Sequence, residues 1–157
     1  MKLSRVLVGV MFLGAMAAGC SKPRAFALAD EWHAVGDTEK ESLCEKLKDT
    51  PPALLGALQT WVKDATPKIT GKSAELATAI GEIKEKGDFE KLVKKIEAFN
   101  PDTEPCDKMK AKFAAEELTA YAAIGTQIDA AIEVAEKAFE AKGKELGVTV
   151  DPKKFRP

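Results

Sequence analysis

Glu104 to Lys142 reads EPCDKMKAKFAAEELTAYAAIGTQIDAAIEVAEKAFEAK. Nothing in it breaks a helix except Gly125, which can mark a kink. At 1.5 Å per residue the stretch would span about 58 Å as one helix. With Ile124 at zero on a helical wheel, Phe113, Ala120, Tyr121, Ile128, Ala131, Ala135 and Phe139 fall within about 60° of it. Glu133, Glu136, Lys137 and Glu140 fall opposite. The stretch therefore predicts a long amphipathic helix that lies along whatever precedes it.

Upstream, the pattern stays helical, with no alternating strand and no repeat. Asp37 and Thr38 can cap a first helix, Thr38 and Glu41 standing at capping-box spacing, with Leu43, Cys44 and Leu47 turned inward. Thr50-Pro51 opens a second, whose apolar face is Leu54, Leu55, Leu58, Trp61 and Val62. Thr66-Pro67 repeats that signal for a third, carrying Ile69, Leu76, Ile80 and Ile83 up to Gly87 as a C′ residue. Asp88 caps a fourth with Phe89, Leu92, Val93, Ile96 and Phe99, ended by Asn100-Pro101. The expected fold is all-α, a bundle of about five helices over residues 37–147, followed by an irregular tail over 148–157. At 157 residues, with 45% hydrophobic and 31% charged, the chain has enough apolar material for one folded domain.

The N-terminus speaks to location. Met1-Lys2-Leu3-Ser4-Arg5 is a short basic start, and Val6 to Ala18 is an uncharged, mostly apolar run of 13 residues. A bilayer span needs about 20 residues, so this suits a secretory signal. It ends in Ala17-Ala18-Gly19-Cys20, which resembles the lipobox of bacterial lipoproteins, although Ala17 stands where that pattern usually has Leu. The resemblance covers about 20 residues. It implies removal of residues 1–19, lipidation of Cys20 and, since Ser21 rather than Asp follows, sorting to the outer membrane of a Gram-negative host. Residues 20–36 then read as the lipidated cysteine and a tether reaching about 20–25 Å if flexible. Removing Lys2 and Arg5 changes the charge count to 22 − 25 = −3, a poor basis for nucleic-acid binding.

With Cys20 lipidated, Cys44 and Cys106 remain as an even pair in an oxidising compartment. A disulfide closing that loop is worth about 4 kcal/mol on the chain-entropy model. It would pin the start of the long helix to the first helix. A redox or metal pair is the alternative, but there is no CxxC and no histidine near either cysteine in sequence.

Catalytic constellations are sparse. The single histidine, His33, removes HExxH and histidine-rich zinc sites, and there is no GxSxG. Thr70-Gly71-Lys72-Ser73 resembles the end of a phosphate loop, but Thr66 stands where that loop needs glycine, so Ser73 reads as a polar helix residue. Asp129, Glu133, Glu136 and Glu140 read as a solvated helix face, supported by Glu133–Lys137 and Glu140–Lys144 spacing. No catalytic residue, metal site or cofactor is expected. Glu117 stands out because it falls in the apolar stripe of the long helix. It is either a polar contact lining a cavity between helices or a carboxylate paired or left wet by a gap in packing. Trp32, with His33 beside it in the tether, is the aromatic best placed to meet a partner or the membrane surface.

These readings lead to a lipid-anchored, non-catalytic envelope module that binds another envelope protein, as an accessory, adaptor, inhibitor or immunity factor. The alternative is a carrier holding a small apolar ligand in a helix-lined cavity, with Glu117 as its polar contact.

Overall fold

The computed structural model describes residues 22–99 and 105–157. The expected signal peptide, Cys20 and the expected helix stop at Asn100-Pro101 lie outside the described residues. Among the described residues the chain is all-α, and two 32-residue helices form its frame: α3 (Pro51–Glu82) and α6 (Ala115–Leu146). They make the most extensive contact in the domain and run parallel. Lys112 Nζ, just before α6, reaches the Lys48 carbonyl, just before α3, at 2.8 Å, and Lys86 Nζ, beyond α3, reaches the Gly147 carbonyl, beyond α6, at 3.2 Å.

α3 merges the expected second and third helices, because Pro67 lies inside it instead of opening a new one. Proline removes an N–H and crowds the carbonyl four residues back, here that of Lys63. Both residues face solvent, so the freed carbonyl can take water and the interruption is tolerated. Pro51 and Pro52 occupy the first turn, where the missing N–H would have no partner in any case. Leu54, Leu58, Trp61, Val62, Ala65, Ile69, Ser73, Leu76, Ala79 and Ile80 form the buried face at helical spacing.

The long C-terminal helix is shorter than expected. α5 (Pro105–Met109) and a 3₁₀ turn (Lys110–Lys112) precede it, and Phe113 and Ala114 are extended before α6 begins. Helix propensity gives no reason to stop there, but tertiary demands do. Phe113 must turn inward, where it is 7% exposed and its ring lies 5.4 Å from that of Tyr121. Cys106 must meet Cys44, and that disulfide is formed with a Cα–Cα distance of 5.2 Å.

The segment expected as a tether is part of the domain. α1 (Arg24–His33) buries Ala25, Leu28, Ala29 and Trp32, a spacing of i, i+3, i+4 and i+7. It continues through a π-helical turn (Ala34–Thr38) into α2 (Glu39–Lys46). The rod is helical across the expected Thr38 cap, so no helix starts there, and it packs along α3. α4 (Lys86–Glu97) follows a short turn in which Ile83 is extended and buried. Gly87 lies within α4 and ends nothing. The left-handed C′ glycine is Gly147, at φ 63°, where Val148 N–H donates to the Gly143 carbonyl at 2.8 Å and Gly147 N–H to that of Lys144 at 3.4 Å. That pair of bonds is a Schellman end.

The tail is packed. Pro152–Lys154 forms a 3₁₀ turn, and Phe155, 1% exposed, sits between Trp32 and Phe139 at ring distances of 4.9 and 4.5 Å. Pro157 is buried over Gly36 in the π turn, where a Cβ would lie 2.3 Å from the Pro157 Cβ. By contrast, a Cβ on Gly71, mid-α3, would meet nothing within 4 Å. Gly36→Ala should therefore destabilise the domain by about 1–3 kcal/mol by lifting the tail. Gly71→Ala should stabilise it by about 0.5–1 kcal/mol. Urea unfolding of the two variants checks this, and equal midpoints would contradict the packed tail.

Candidate functional site

The residues that stood out in the sequence do not converge on one site. Trp32 is fully buried, and its Nε1 donates to Ser73 Oγ on α3 at 3.0 Å. The expectation that it meets a partner is thus corrected: an indole sealed into the core by its own chain cannot present a surface. Ser73, read as an ordinary polar helix residue, is fully buried as its acceptor. The signal was available, since Ser73 lies on the α3 wheel between Ile69 and Leu76, where an apolar residue belongs.

His33 is partly buried at the end of α1, and its ring stacks on Phe99, just past the end of α4, at 4.1 Å and 4°. Lys95 Nζ lies 5.9 Å from the Phe99 centroid and 2.6 Å from Asp30 on α1. His33 Nδ1 is buried without a hydrogen-bond partner. One ring face is therefore used for packing, and the arrangement joins α1 to α4.

Glu117 is partly exposed, and its Oε2 accepts the Ala114 N–H at 2.8 Å. It is the N3 residue of α6, supplying half of a capping box, since Ala114 has no side-chain acceptor to return. The reading of Glu117 as a cavity-lining contact is corrected. Its wheel position counts for little in the first turn, where the helix has only begun.

The richest polar cluster surrounds the disulfide. Cys44 and Cys106 are each 1% exposed, and the Cys106 N–H donates to Glu41 Oε2 at 3.4 Å. Lys110 pairs with Asp107 at 2.5 Å, which holds the ammonium above its usual value, and also stands 6.0 Å over the Tyr121 ring. Burial pushes the Tyr121 phenol up, against the opposing pull of Lys40 and Lys110. These groups are engaged with one another, and the corner is built to hold α5 against α2 and α6.

On the outer face of α6, Glu133 pairs with Lys137, which lowers the carboxyl. Glu136 is raised by partial burial and by Glu140 and Glu133. Asp129 is paired with Arg156 from the tail. Lys142, 7% exposed, buries its stem and reaches Glu145 at 2.9 Å. Among the described residues no three His, Cys, Asp or Glu converge as a metal ion would require. No described helix is long and apolar enough to cross a membrane.

An open groove of about 390 Å³ lies where α1 begins and α3 turns into α4, with Pro23, Ala79 and Ile83 as its apolar part and Arg24, Glu82 and Asp88 on its rim. At the other end of the domain, two uncharged stretches lie side by side, Pro51–Val62 of α3 and Leu118–Ile128 of α6. Leu118 is 40% exposed there, and Ala53, Gly56, Ala122 and Ala123 face solvent. Gly56 and Gly125 have nothing within 4 Å of a Cβ position.

The chain has one tyrosine, so Tyr121 can be titrated alone by tyrosinate absorbance. Its folded pKa is raised above the ordinary 10.0. The stability this reflects is complete below the unfolded pKa and is lost as pH rises through the folded one. The native domain should therefore ionise later than the same protein in urea. Coincident curves would contradict the burial of the ring. Comparisons with protein-family models, curated proteins and solved structures find no match for this chain.

Proposed function

We propose that the chain is a lipid-anchored protein of the bacterial envelope, held at the outer membrane through Cys20, whose helical domain is a non-catalytic module for binding another envelope protein. The observation that carries the reading is a pair of uncharged stretches near the starts of α3 and α6. In a chain that is 31% charged, α3 and α6 set two stretches free of Asp, Glu, Lys and Arg side by side, Pro51–Val62 and Leu118–Ile128, the second starting just after Glu116 and Glu117. They present Leu118, small residues and open glycines to solvent. Glycine inside a helix costs about 1 kcal/mol relative to alanine. Neither Gly56 nor Gly125 is required by any contact within the domain. Close approach by a partner helix is what such positions permit.

The disulfide corner supports the same reading, because it fixes both starts relative to each other and makes the surface rigid before binding. The carrier alternative loses its motive, since the Glu117 carboxylate already accepts the Ala114 N–H. The module type, whether adaptor, accessory or inhibitor, depends on the partner.

The test is site-specific photo-crosslinking in intact cells from exposed Ala122 of α6, with exposed Glu90 of α4 as the control position. The expected result is one discrete protein adduct from Ala122, absent from Glu90, and abolished when Gly56→Trp blocks the surface without unfolding the domain. No adduct from Ala122, or the same adducts from both positions, would overturn the docking surface.

A further inference from the structure

The shortened link between Cys20 and the folded domain has a consequence for how the protein sits on its membrane. It rests on the lipid anchor proposed above. A 16-residue flexible tether would let the domain tumble at a distance, but helical structure begins at Arg24 and Ala25 is already fully buried. From the Cys20 Cα to that of Pro23 is three residues, a reach of at most about 11 Å even when fully extended. α3 and α6, at 32 residues each, are about 48 Å long. The anchor is therefore short compared with the body it holds.

We infer that the end of the domain formed by the start of α1, the α3–α4 corner and the end of α6 lies against the headgroup layer of the bilayer that carries the anchor. Those parts share one end. Pro23 and Arg24 border the same groove as Ala79, Ile83 and Asp88, and Lys86 Nζ binds the Gly147 carbonyl beyond α6.

The chemistry of this end fits a headgroup surface. Lys22 and Lys84 are exposed, and the Arg24 and Lys86 side chains are 62% and 55% exposed. They are interspersed with Glu82, Glu85 and Asp88, so cations can meet phosphates and carboxylates can meet headgroup amines. The groove behind them has an apolar part from Pro23, Ala79 and Ile83. This composition lacks the concentrated basic charge that would bind a membrane unaided. The surface is expected to lie on the bilayer because the anchor holds it there. The orientation turns the uncharged stretches Pro51–Val62 and Leu118–Ile128 away from the lipid, towards other envelope proteins.

The test uses the full lipidated protein in vesicles of phosphatidylethanolamine and phosphatidylglycerol doped with a nitroxide-headgroup lipid. A fluorophore is placed at Lys84→Cys or at Ala53→Cys, both exposed. They are 31 positions apart, near the start and just beyond the end of α3, so their heights should differ by about 45 Å, and quenching at Lys84→Cys should exceed that at Ala53→Cys by at least about threefold. Inserting fifteen Gly/Ser residues between Lys22 and Pro23 gives about 20 Å of flexible reach and should bring that ratio towards one. A protein that floats with the vesicles but is quenched equally at both positions, or more at Ala53→Cys, overturns the orientation and leaves the anchor standing. A protein that does not float with the vesicles overturns the anchor, and the orientation with it.

Discussion

The hydrogen bond from Trp32 Nε1 to Ser73 Oγ, buried between α1 and α3, is the contact on which the rest of the arrangement depends. An indole N–H taken from water without a partner costs about 1–3 kcal/mol, a cost that the Ser73 acceptor removes for Trp32, whereas the buried Trp61 Nε1 bears it. Ser73 in turn is stable in an apolar face only because Trp32 satisfies it. From that point an aromatic chain runs through the domain. Trp32 meets Phe155, Phe155 meets Phe139, and Phe139 meets Phe89 at 5.3 Å. The first element, the last residues and helices α4 and α6 are thus tied at one place.

Two other constraints act at the ends of the frame. At the starts of α3 and α6, the Cys44–Cys106 bond holds α5 to α2, and Phe113 turns inward against Tyr121. At their ends, Gly147 reverses the chain and Gly143 lets it return, since a Cβ there would lie 2.9 Å from the Val148 carbonyl oxygen. The returning segment then delivers Phe155 to Trp32 and Pro157 to Gly36. At Gly36 and Gly143 backbone meets ring or backbone, and the missing side chain lets the tail close on the domain. Gly56 and Gly125 have no such internal reason, and both lie in the uncharged stretches proposed to meet a partner.

Helical periodicity made the all-α class and the inward faces of α3, α4 and α6 legible, and cysteine arithmetic made the disulfide legible. The boundaries were less so. Pro67 looked like a helix start because sequence does not say that Lys63 and Pro67 both face water. The stretch from Pro105 to Ala114 looked helical because its local propensity is high, while the demands that break it come from Cys44, 62 residues from Cys106, and from the packing of Phe113 on Tyr121. The largest departure was α1. Ala25, Leu28, Ala29 and Trp32 do show helical spacing, but the nearby Cys20 and the expectation of a tether obscured it. Trp32 and His33 were then assigned to a surface, when their rings pack on Phe155 and Phe99. A tryptophan matched by a lone serine in a distant apolar face was the signal to weigh.

In the proposed arrangement, anchored at Cys20, folded structure begins almost at the lipid, and the uncharged stretches of α3 and α6 face away from the bilayer. Everything in it depends on α1 being a core element. Native-state hydrogen exchange tests that most directly. The amides of Leu28 to Trp32 should exchange only through global unfolding, with the same free energy and denaturant dependence as those of Leu76 to Ile80 in α3. Exchange of the α1 amides at the rate of an unstructured chain, while α3 stays protected, would contradict the account.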